Sequence, residues 1–415
     1  MPGERAATTA PGWANRRLVP AIALVTLLAT AACGSSTAGQ PSDTGSGSTL
    51  SPLAPWQGAF TTVALPAGVQ ALRAVACPTA ARCWAVGSTT GTAALPSTAA
   101  VVSSADGGRS WDVQHLPPTV GYLSGISCTT SRSCVAVGQL GTAGVGPGAI
   151  ATTTDGGAAW VLQTVPAGTS DVTAVSCLHA GRCTALADVA GRVTALTAPG
   201  AGAPWVAGGP LPPTVSTATS VSCTDARDCW VAGTSPVDVG HTSGVVASSD
   251  DGGLTWALEP VPPGSGALQG IACTPRATTA STTTGSTGRR PAAAPSCTAV
   301  GTTATGLAGG RTGAGVVFTS TTGGASWVTA PVPPTSADLV AVSCDAGPCV
   351  AVGSSVAAAP EAGVVVLTIT PGASTGGWRR ALVAPVAFPL AGVACSSLAA
   401  CVVVGESVGA RLTAG

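Results

Sequence analysis

The sequence predicts an all-β fold: a seven-bladed β-propeller of four-stranded antiparallel blades, with the ring closed by an N-terminal strand. Three observations lead to this prediction. Fourteen of the fifteen cysteines fall into seven local pairs, a turn motif that ends in tryptophan recurs along the chain, and seven tryptophans follow one another at intervals of 45–71 residues. Repeats of roughly 40–50 residues with four short strands each are typical of propeller blades.

The composition favours many short strands and excludes one class of partner. The 415 residues carry no formal net charge, only 8% are charged, and every basic residue is arginine. Such a balance gives no electrostatic reason to bind nucleic acid. The hydrophobic residues are mostly Ala and Val, and 56 Gly and 33 Pro interrupt them. Frequent breakers argue against long helices.

The turn motif appears first as Ser104-x-Asp106-x-Gly108-x-Ser110-Trp111. We expect its carboxylate to accept backbone N–H groups within a tight turn, and its Trp to pack between blades. Further copies contain Asp155, Gly157 and Trp160; Ser249, Asp251, Gly253 and Trp256; and Ser320, Gly324 and Trp327, with Thr322 in place of Asp. Little beyond the Trp remains at Trp205 and Trp378, and Trp56 begins the series.

The cysteine pairs flank short loops between two strand-like runs such as "LSGISC" and "CVAVG". A hairpin places such residues opposite one another, so we predict seven disulfides. Structural zinc sites, the alternative, favour two to four residues between cysteines and a second ligand pair nearby. The predicted pairs are Cys77/Cys83, Cys128/Cys134, Cys177/Cys183, Cys223/Cys229, Cys273/Cys297, Cys344/Cys349 and Cys395/Cys401.

The blade count follows from these pairs. Seven cysteine hairpins occur, but the last one ends without a Trp strand. The orphan strand at Trp56–Val63 can complete that blade beside residues 410–414 and so remove the open edges of the ring. We therefore predict seven blades rather than six or eight.

The N-terminus predicts export and a lipid anchor. Two arginines precede an apolar run that ends at Ala32, and Cys33 follows, as in bacterial lipoprotein signals. Residues 1–32 are interpreted as the signal peptide, Cys33 as the lipidated residue, 33–51 as a flexible tether and 52–415 as the propeller, with a disordered insertion at 275–296. An ordinary secretory signal is the alternative, and the sequence leaves general secretory and twin-arginine export open.

The motifs "SADGGRSW" and "SDDGGLTW" resemble the Asp-box, or BNR, repeats of sialidases, sortilin-type receptors and photosystem II assembly factor propellers. The resemblance covers about residues 52–415. It implies a propeller in which the motif is a structural turn on the rim, remote from the ligand, so the motif residues are expected to be scaffold.

Catalysis by a sialidase would imply an Arg triad, a Tyr nucleophile helped by Glu, and an Asp acid/base. Tyr122 is the single tyrosine, only Glu259, Glu361 and Glu406 follow the signal, and the arginines are scattered. The sequence shows no metal-ligand cluster and no phosphate-binding loop. We therefore predict a protein that is not an enzyme and has no cofactor and no metal.

The predicted function is a monomeric binding or scaffolding module on the outer face of the bacterial cell membrane, with a protein or glycan partner. A sialidase-like glycoside hydrolase or a lectin is the alternative, and a purely structural component of the cell envelope is a third hypothesis. The cysteine end of the blades, which carries Arg82, Arg132, Arg182 and Arg227, is expected to serve stability. Binding is expected at the opposite end, where the loops vary. Positions six residues before each first cysteine predict Tyr122, Asp171 and Asp338 at the mouth of the axial channel, with Arg73 and Gln269 two residues further in.

Overall fold

The computed structural model describes residues 59–91, 97–141, 146–200, 202–238, 241–275, 294–303, 313–334, 336–344, 348–355, 363–367, 378–380, 382–383, 389–397, 400–406 and 408–413. The signal peptide, Cys33, the tether and most of the insertion at 275–296 lie outside these residues. Every regular element in the described ranges is a β-strand. None of them contains a helix that is long and apolar enough to span a membrane.

Six four-stranded sheets follow one another along the chain, each with its strands hydrogen-bonded in chain order. Neighbouring strands are antiparallel. Numbered in chain order, the strands are β2 (Val69–Ala76), β3 (Cys83–Thr89), β4 (Ala99–Ser104) and β5 (Asp112–Gln114) in sheet 1; β6 (Val120–Cys128), β7 (Cys134–Leu140), β8 (Gly148–Thr153) and β9 (Val161–Leu162) in sheet 2; β10 (Thr169–Cys177), β11 (Cys183–Val189), β12 (Arg192–Ala198) and β13 (Val206–Pro210) in sheet 3; β14 (Thr217–Cys223), β15 (Cys229–Asp238), β16 (His241–Ser249) and β17 (Ala257–Glu259) in sheet 4; β18 (Ser265–Thr274), β19 (Ser296–Thr303), β20 (Gly315–Ser320) and β21 (Val328–Ala330) in sheet 5; and β22 (Ser336–Cys344), β23 (Cys349–Ser355), β24 (Gly363–Leu367) and β25 (Arg379–Arg380) in sheet 6.

Sheet 7 combines the two ends of the described chain. Its five strands lie in the order β26-β1-β29-β28-β27. Their bounds are β1 (Ala59–Ala64), β26 (Leu382–Val383), β27 (Leu390–Ser397), β28 (Ala400–Gly405) and β29 (Val408–Thr413). The N-terminal strand β1 pairs antiparallel with β29, as the sequence predicts. The parallel pairing of β26 with β1 was not predicted, because a two-residue strand leaves no periodic signal.

The inner strand is the first strand in sheets 1–6 and is β27 in sheet 7, and the inner strands contact one another in sequence order from β2 to β27. The inner strand of sheet 7 also contacts that of sheet 1. A single bridge between Ala71 and Glu406 joins the same two sheets, and Gly392 lies against the backbone of Arg73 and Ala74.

Apolar side chains pack between neighbouring sheets. The described residues form seven hydrophobic clusters, each of which takes its members from two neighbouring sheets. Trp160 of sheet 2 packs with Val86 and Val101 of sheet 1, and Trp111 of sheet 1 packs with Val402 of sheet 7. The tryptophans of the turn motif are therefore inter-sheet anchors, as predicted, and large buried aromatic rings contribute strongly to such interfaces.

Each sheet carries one disulfide, in the hairpin between its inner strand and the next. The structure links the seven pairs that the sequence predicts, with Cα–Cα distances of 4.0–4.1 Å. The serine before the first cysteine of a pair accepts a hydrogen bond from the next sheet. The N–H of Cys177 donates to Ser127 Oγ at 3.0 Å, and that of Cys223 donates to Ser176 Oγ at 3.1 Å. The recurring Ser-Cys dipeptide thus couples neighbouring sheets as well as closing a hairpin.

The hairpins of sheets 5 and 7 differ from the others in one strand boundary. In the other five sheets the second cysteine begins its strand, whereas β19 begins one residue earlier, at Ser296, and β28 begins at Ala400. In sheet 7 the reason is that β27 continues past Cys395, and a shift of register lets Ser397 pair with Ala400. Cys401 lies opposite Cys395 and is bonded to it, as the sequence predicts.

Candidate binding site at the central cavity

The turn motif uses its polar groups within the turn. Asp106 Oδ1 accepts the backbone N–H groups of Arg109 and Ser110 at 2.9 and 3.0 Å, and Ser104 Oγ accepts that of Gly108 at 2.7 Å. In the fourth copy Thr322 Oγ1 accepts the N–H of Ser326 at 2.9 Å, so the neutral residue keeps one of these bonds. These contacts support the predicted structural role.

Hydrogen bonding also sets the ionisation of the motif carboxyls. Desolvation alone would raise the pKa of Asp106, but the hydrogen bonds from Ser110, Ser104 and Arg109 lower that pKa well below its usual range. The side chain and backbone N–H of Thr255 do the same for the pKa of Asp251. Hydrogen bonds to the charged form stabilise it, so these carboxylates stay ionised in the folded protein.

The cysteine end of the sheets is tied together by internal hydrogen bonds. The N–H of Gly107 donates to the carbonyl oxygen of Ala81 at 2.8 Å, which joins the turn motif to the cysteine hairpin. Equivalent bonds join Gly156 to Arg132 and Gly252 to Arg227, both at 2.8 Å. The guanidinium of Arg182 donates to the carbonyl oxygen of Gly252 in the next sheet at 3.0 Å. Polar groups at this end therefore stabilise the fold.

Proline-rich turns lead into the inner strands at the opposite end. The N–H of Val69 donates to the carbonyl oxygen of Pro66 at 3.1 Å, and the same bond links Val120 to Pro117 and Thr169 to Pro166. Each of these turns sets the start of an inner strand. Tyr122, Asp171 and Asp338 are the third residues of β6, β10 and β22, so the structure places all three where the inner strands begin.

A central cavity of about 200 Å³ is lined by the inner strands of all seven sheets. Each sheet contributes the residue that lies four positions before its first cysteine. From sheet 1 to sheet 7 these residues are Arg73, Ser124, Thr173, Thr219, Gln269, Val340 and Ala391. The predicted residues Arg73 and Gln269 thus both line this cavity.

Three of these seven positions hold neighbouring sheets together. The hydroxyls of Ser124, Thr173 and Thr219 donate to backbone carbonyl oxygens of the following inner strand at 2.9–3.0 Å. Arg73 and Gln269 occupy the same position in sheets 1 and 5. Their side chains make no hydrogen bond to any residue that the structure describes, so their polar groups are available to the cavity.

Arg73 and Tyr122 come from neighbouring sheets and contact each other. The guanidinium carbon of Arg73 lies 4.9 Å from the centroid of the Tyr122 ring, which is a cation–π contact. Arg73 is exposed, and Tyr122 is half-buried. No carboxylate within the described ranges forms a salt bridge with Arg73, so its charge is not neutralised there.

The two predicted acids lie on different sheets, Asp171 on sheet 3 and Asp338 on sheet 6, and both are half-buried. Asp171 Oδ1 is buried and has no hydrogen-bond partner in the described part of the chain. Burial raises the pKa of Asp171 and the nearby Asp188 carboxylate raises it further, although a hydrogen bond from the backbone N–H of Val172 lowers it. A carboxyl with a buried oxygen that has no partner is unfavourable in its charged form.

The structure adds polar residues beside Asp171 that sequence reasoning missed. Gln139 Nε2 donates to the carbonyl oxygen of Ser170 at 3.1 Å, and Ser170 Oγ donates to Asp188 Oδ1 at 2.9 Å. Gln139 pairs with Tyr122, and Asp188 pairs with Asp171, across their hairpins. The hairpin register could have identified both residues, but it depends on β-bulges in β6 and β10. Gly121 lies at the bulge in β6 and is a signal that sequence reasoning missed, whereas β10 contains no glycine or proline that would mark its bulge.

We also searched the described residues for side chains that could bind a metal ion. Over the described ranges, no group of three or more His, Cys, Asp and Glu side chains is placed to hold a metal ion.

Comparison with known proteins shows the fold. No family model and no curated protein sequence matches the chain. The structure of YCF48 bound to D1 peptide is 12% identical, with a TM-score of 0.55 over 86% of this chain and 95% of that one. A catalytically inactive virginiamycin B lyase from Staphylococcus aureus with quinupristin is 12% identical, with a TM-score of 0.55 over 85% of this chain and 98% of that one. A GH74 xyloglucanase from Xanthomonas campestris is 13% identical, with a TM-score of 0.51 over 81% of this chain and 51% of that one. These structures are β-propellers, so this chain has a β-propeller fold.

The comparison also corrects the prediction that the protein is not an enzyme. That prediction is wrong, because similar propellers include a lyase and a glycoside hydrolase. The physical reason is that a propeller brings residues from sheets distant in sequence to one cavity, so scattered catalytic residues do not exclude catalysis. At identities of 12–13% the likeness shows the fold alone and assigns no reaction to this chain.

Proposed function

We propose that this protein is a monomeric, exported and lipid-anchored seven-bladed β-propeller that binds a polypeptide partner around the mouth of its central cavity. Seven sheets, the pairing of β1 with β29 and the contacts between sheets 1 and 7 support a ring closed by the N-terminal strand. The apolar run before Cys33 supports export and anchoring to the outer face of the cell membrane. The recurring turn motif supports a place among Asp-box repeat propellers.

The choice of site rests on one comparison between equivalent positions of the sheets. The hydroxyls of Ser124, Thr173 and Thr219 form hydrogen bonds between neighbouring sheets, whereas the side chains of Arg73 and Gln269 form none. Because these two long polar side chains line the cavity and do not stabilise the ring, their polar groups can bind a ligand there. The cysteine end of the sheets, by contrast, uses its arginines internally at Arg182 and Arg227.

A polypeptide fits the mouth better than a sugar. Glycan sites commonly stack sugar rings on an open aromatic face, and one face of Tyr122 is covered by the Arg73 guanidinium. YCF48, one of the similar propellers, is seen with a bound peptide. Around the mouth, the carboxyl groups of Asp171 and Asp338 and the amide of Gln139 are groups that can hydrogen-bond to a peptide backbone.

The test compares the two ends of the propeller. Full-length chain is crosslinked in the cell envelope, and bound polypeptides are identified by mass spectrometry. The mouth variant replaces Tyr122, Asp171 and Asp338 with Ala, and the control replaces Arg82 and Arg132, two exposed arginines of the cysteine end, with Ala. We expect the native chain and the control to enrich the same polypeptide, and the mouth variant to lose it. Capture that survives in the mouth variant and disappears in the control would place the site at the cysteine end, and binding of purified glycans alone would support a lectin.

A further inference from the structure

At the level of the residues four positions before the first cysteines, the wall of the central cavity has a polar part and an apolar part. Two residues further along the inner strands, apolar side chains such as Val75, Ile126 and Val393 also line the cavity. Sheets 1–5 contribute Arg73, Ser124, Thr173, Thr219 and Gln269, whereas sheets 6 and 7 contribute Val340 and Ala391. Because sheet 7 contacts sheet 1, the apolar pair fills the gap between Gln269 and Arg73. The two polar side chains that make no hydrogen bond in the described structure therefore stand on either side of a small apolar surface.

The Arg73 side chain is arranged to receive an anion. Its guanidinium rests on the Tyr122 ring, which restricts its orientation and covers one face of the group. The N–H donors of a guanidinium lie at its edge, so a contact on the face leaves them free. Those donors match the two oxygens of a carboxylate, and this pairing is stronger than a hydrogen bond between neutral groups.

Gln269 and the apolar pair complete a site with two kinds of contact. The Gln269 amide can donate a hydrogen bond to an oxygen, and Val340 and Ala391 can contact only hydrocarbon. A ligand that satisfies both parts has a charged end and an alkyl end. The cavity, at about 200 Å³, is smaller than the roughly 300–1,000 Å³ of common small-molecule sites, which restricts it to a short group.

We infer that the central cavity binds a short aliphatic carboxylate, with the carboxylate on Arg73 and Gln269 and the alkyl group against Val340 and Ala391. This inference rests on the proposed function, since it concerns the cavity whose mouth is the proposed binding site. The carboxylate comes either from a free aliphatic acid or from the C-terminal end of a bound polypeptide. Both sources present the same chemistry to the cavity.

The first experiment tests the charge requirement. Isovalerate and its uncharged analogue isovaleramide are titrated separately into the full-length chain, and binding is followed by calorimetry and by the Arg Nε–Hε signals in NMR spectra. We expect isovalerate to bind at least about tenfold more tightly than isovaleramide, because only the acid forms a charge-assisted pair with Arg73. Equal binding of the two probes, or binding of neither, overturns the inference.

The second experiment tests the residues. Arg73→Gln removes the charge while keeping a polar side chain, and we expect it to weaken isovalerate binding about tenfold or more. Arg73→Lys keeps the charge but cannot pair with both carboxylate oxygens at once, so we expect its affinity for isovalerate to lie between those of the native chain and Arg73→Gln. Arg82→Gln is the matched control, since Arg82 is an exposed arginine at the cysteine end, and it should bind like the native chain. Unchanged binding in Arg73→Gln contradicts the inference.

The third experiment distinguishes the two sources. N-acetyl-Ala-Ala-Val is used as its free acid and as its C-terminal amide. Tighter binding of the peptide acid than of isovalerate assigns the carboxylate to a polypeptide end, and the reverse order assigns it to a free acid. If partner capture depends on the mouth residues but neither acid binds more tightly than its amide, the proposed function stands and this inference is wrong. Acid binding without partner capture would remove the proposed function instead.

Discussion

Asp171 lies directly opposite Asp188 in the ladder between β10 and β11. Asp188 is satisfied by Ser170 Oγ and by the N–H of Gly191, at 2.9 and 3.0 Å. Asp171 Oδ1 has no partner in the part of the chain that the structure describes. The pair therefore contains one carboxyl with two hydrogen-bond donors and one with a buried oxygen that has none, and the second lies at the predicted binding face. A buried oxygen without a partner lowers stability, and groups with a perturbed pKa of this kind are concentrated at functional sites.

The first prediction concerns this stability cost. Asp171→Asn should raise the free energy of unfolding at pH 7, since it removes a buried charge that faces Asp188. Urea unfolding of the native chain and the variant measures the difference. Asp112→Asn, which neutralises an exposed carboxylate, is the control and should leave stability nearly unchanged.

The sign of the pH dependence follows from the direction of the pKa shift. Burial and Asp188 raise the pKa of Asp171 in the folded state, so the folded protein holds this proton more tightly than the unfolded chain. The destabilisation is absent below the unfolded pKa of about 3.9 and grows as pH rises through the folded pKa. The gain from Asp171→Asn should therefore vanish at about pH 3. A gain that is equally large at both pH values would show that the charge is not its cause.

The turn motif supports a second prediction. Asp106→Ala removes the acceptor of two backbone N–H groups and should lower the free energy of unfolding by about 1–2 kcal/mol. Thr322→Ala, in the copy without a carboxylate, should cost less. Partner affinity should be nearly unchanged in both variants, because the motif lies at the cysteine end. A folded Asp106→Ala variant with a large loss of affinity would assign the motif a binding role.

The same carboxylates should make the protein sensitive to acid. The pKa of Asp106 and that of Asp251 are lowered in the folded state, so their stabilising contribution is complete above the unfolded pKa of about 3.9. It is lost as pH falls from there through the lowered folded values. Below about pH 4, the stability difference between the native chain and Asp106→Ala should therefore shrink as pH falls.

Much of this fold could be predicted because the sequence repeats. Seven cysteine pairs and the tryptophan spacing mark the sheets, and Trp160 packs between sheets as its motif suggests. The site was less predictable. Counting back from the cysteines identified Tyr122 and Asp171, but the contacts of Gln139 with Ser170 and of Asp188 with Asp171 depend on bulged registers. Gly121 accompanies the bulge in β6 and could have marked it, whereas β10 has no glycine or proline, so nothing in its local sequence marks its bulge.

The disulfides give a third prediction, based on loop length. Replacing Cys223 and Cys229 with Ala should cost about 2 kcal/mol, since the bond closes a short loop. Replacing Cys273 and Cys297, which lie 24 residues apart, should cost about 3.5 kcal/mol, because the longer loop gains more freedom in the unfolded chain. Urea unfolding compares the two variants. Peptide mapping without reduction should recover each pair within its own repeat, and links between repeats would contradict the pairing.

The anchor gives a fourth prediction, which concerns a residue outside the described structure. Cys33→Ala removes the only thiol that the predicted lipoprotein signal offers for acylation. The variant should leave the membrane fraction or accumulate as an uncleaved precursor, and immunoblots of fractionated cells detect either outcome. Membrane association equal to that of the native chain would place the anchor elsewhere.

The last prediction concerns the glycine of the recurring "CVAVG" run and its effect on the binding face. In sheet 2 a Cβ on Gly138 would overlap the carbonyl oxygen of Tyr122, because the bulge in β6 brings the two backbones together. Gly138→Ala should therefore push Tyr122 away from Arg73 and lower the free energy of unfolding by about 1–3 kcal/mol. Sheet 3 has Ala187 at the equivalent position and buries it, so its inner strand already accommodates a methyl group. Ala187→Gly is thus the matched control, with an expected cost of about 0.5–1 kcal/mol from backbone freedom and no effect on partner capture. A Gly138→Ala variant as stable as the native chain, with partner capture intact, would show that the position of Tyr122 does not depend on this contact.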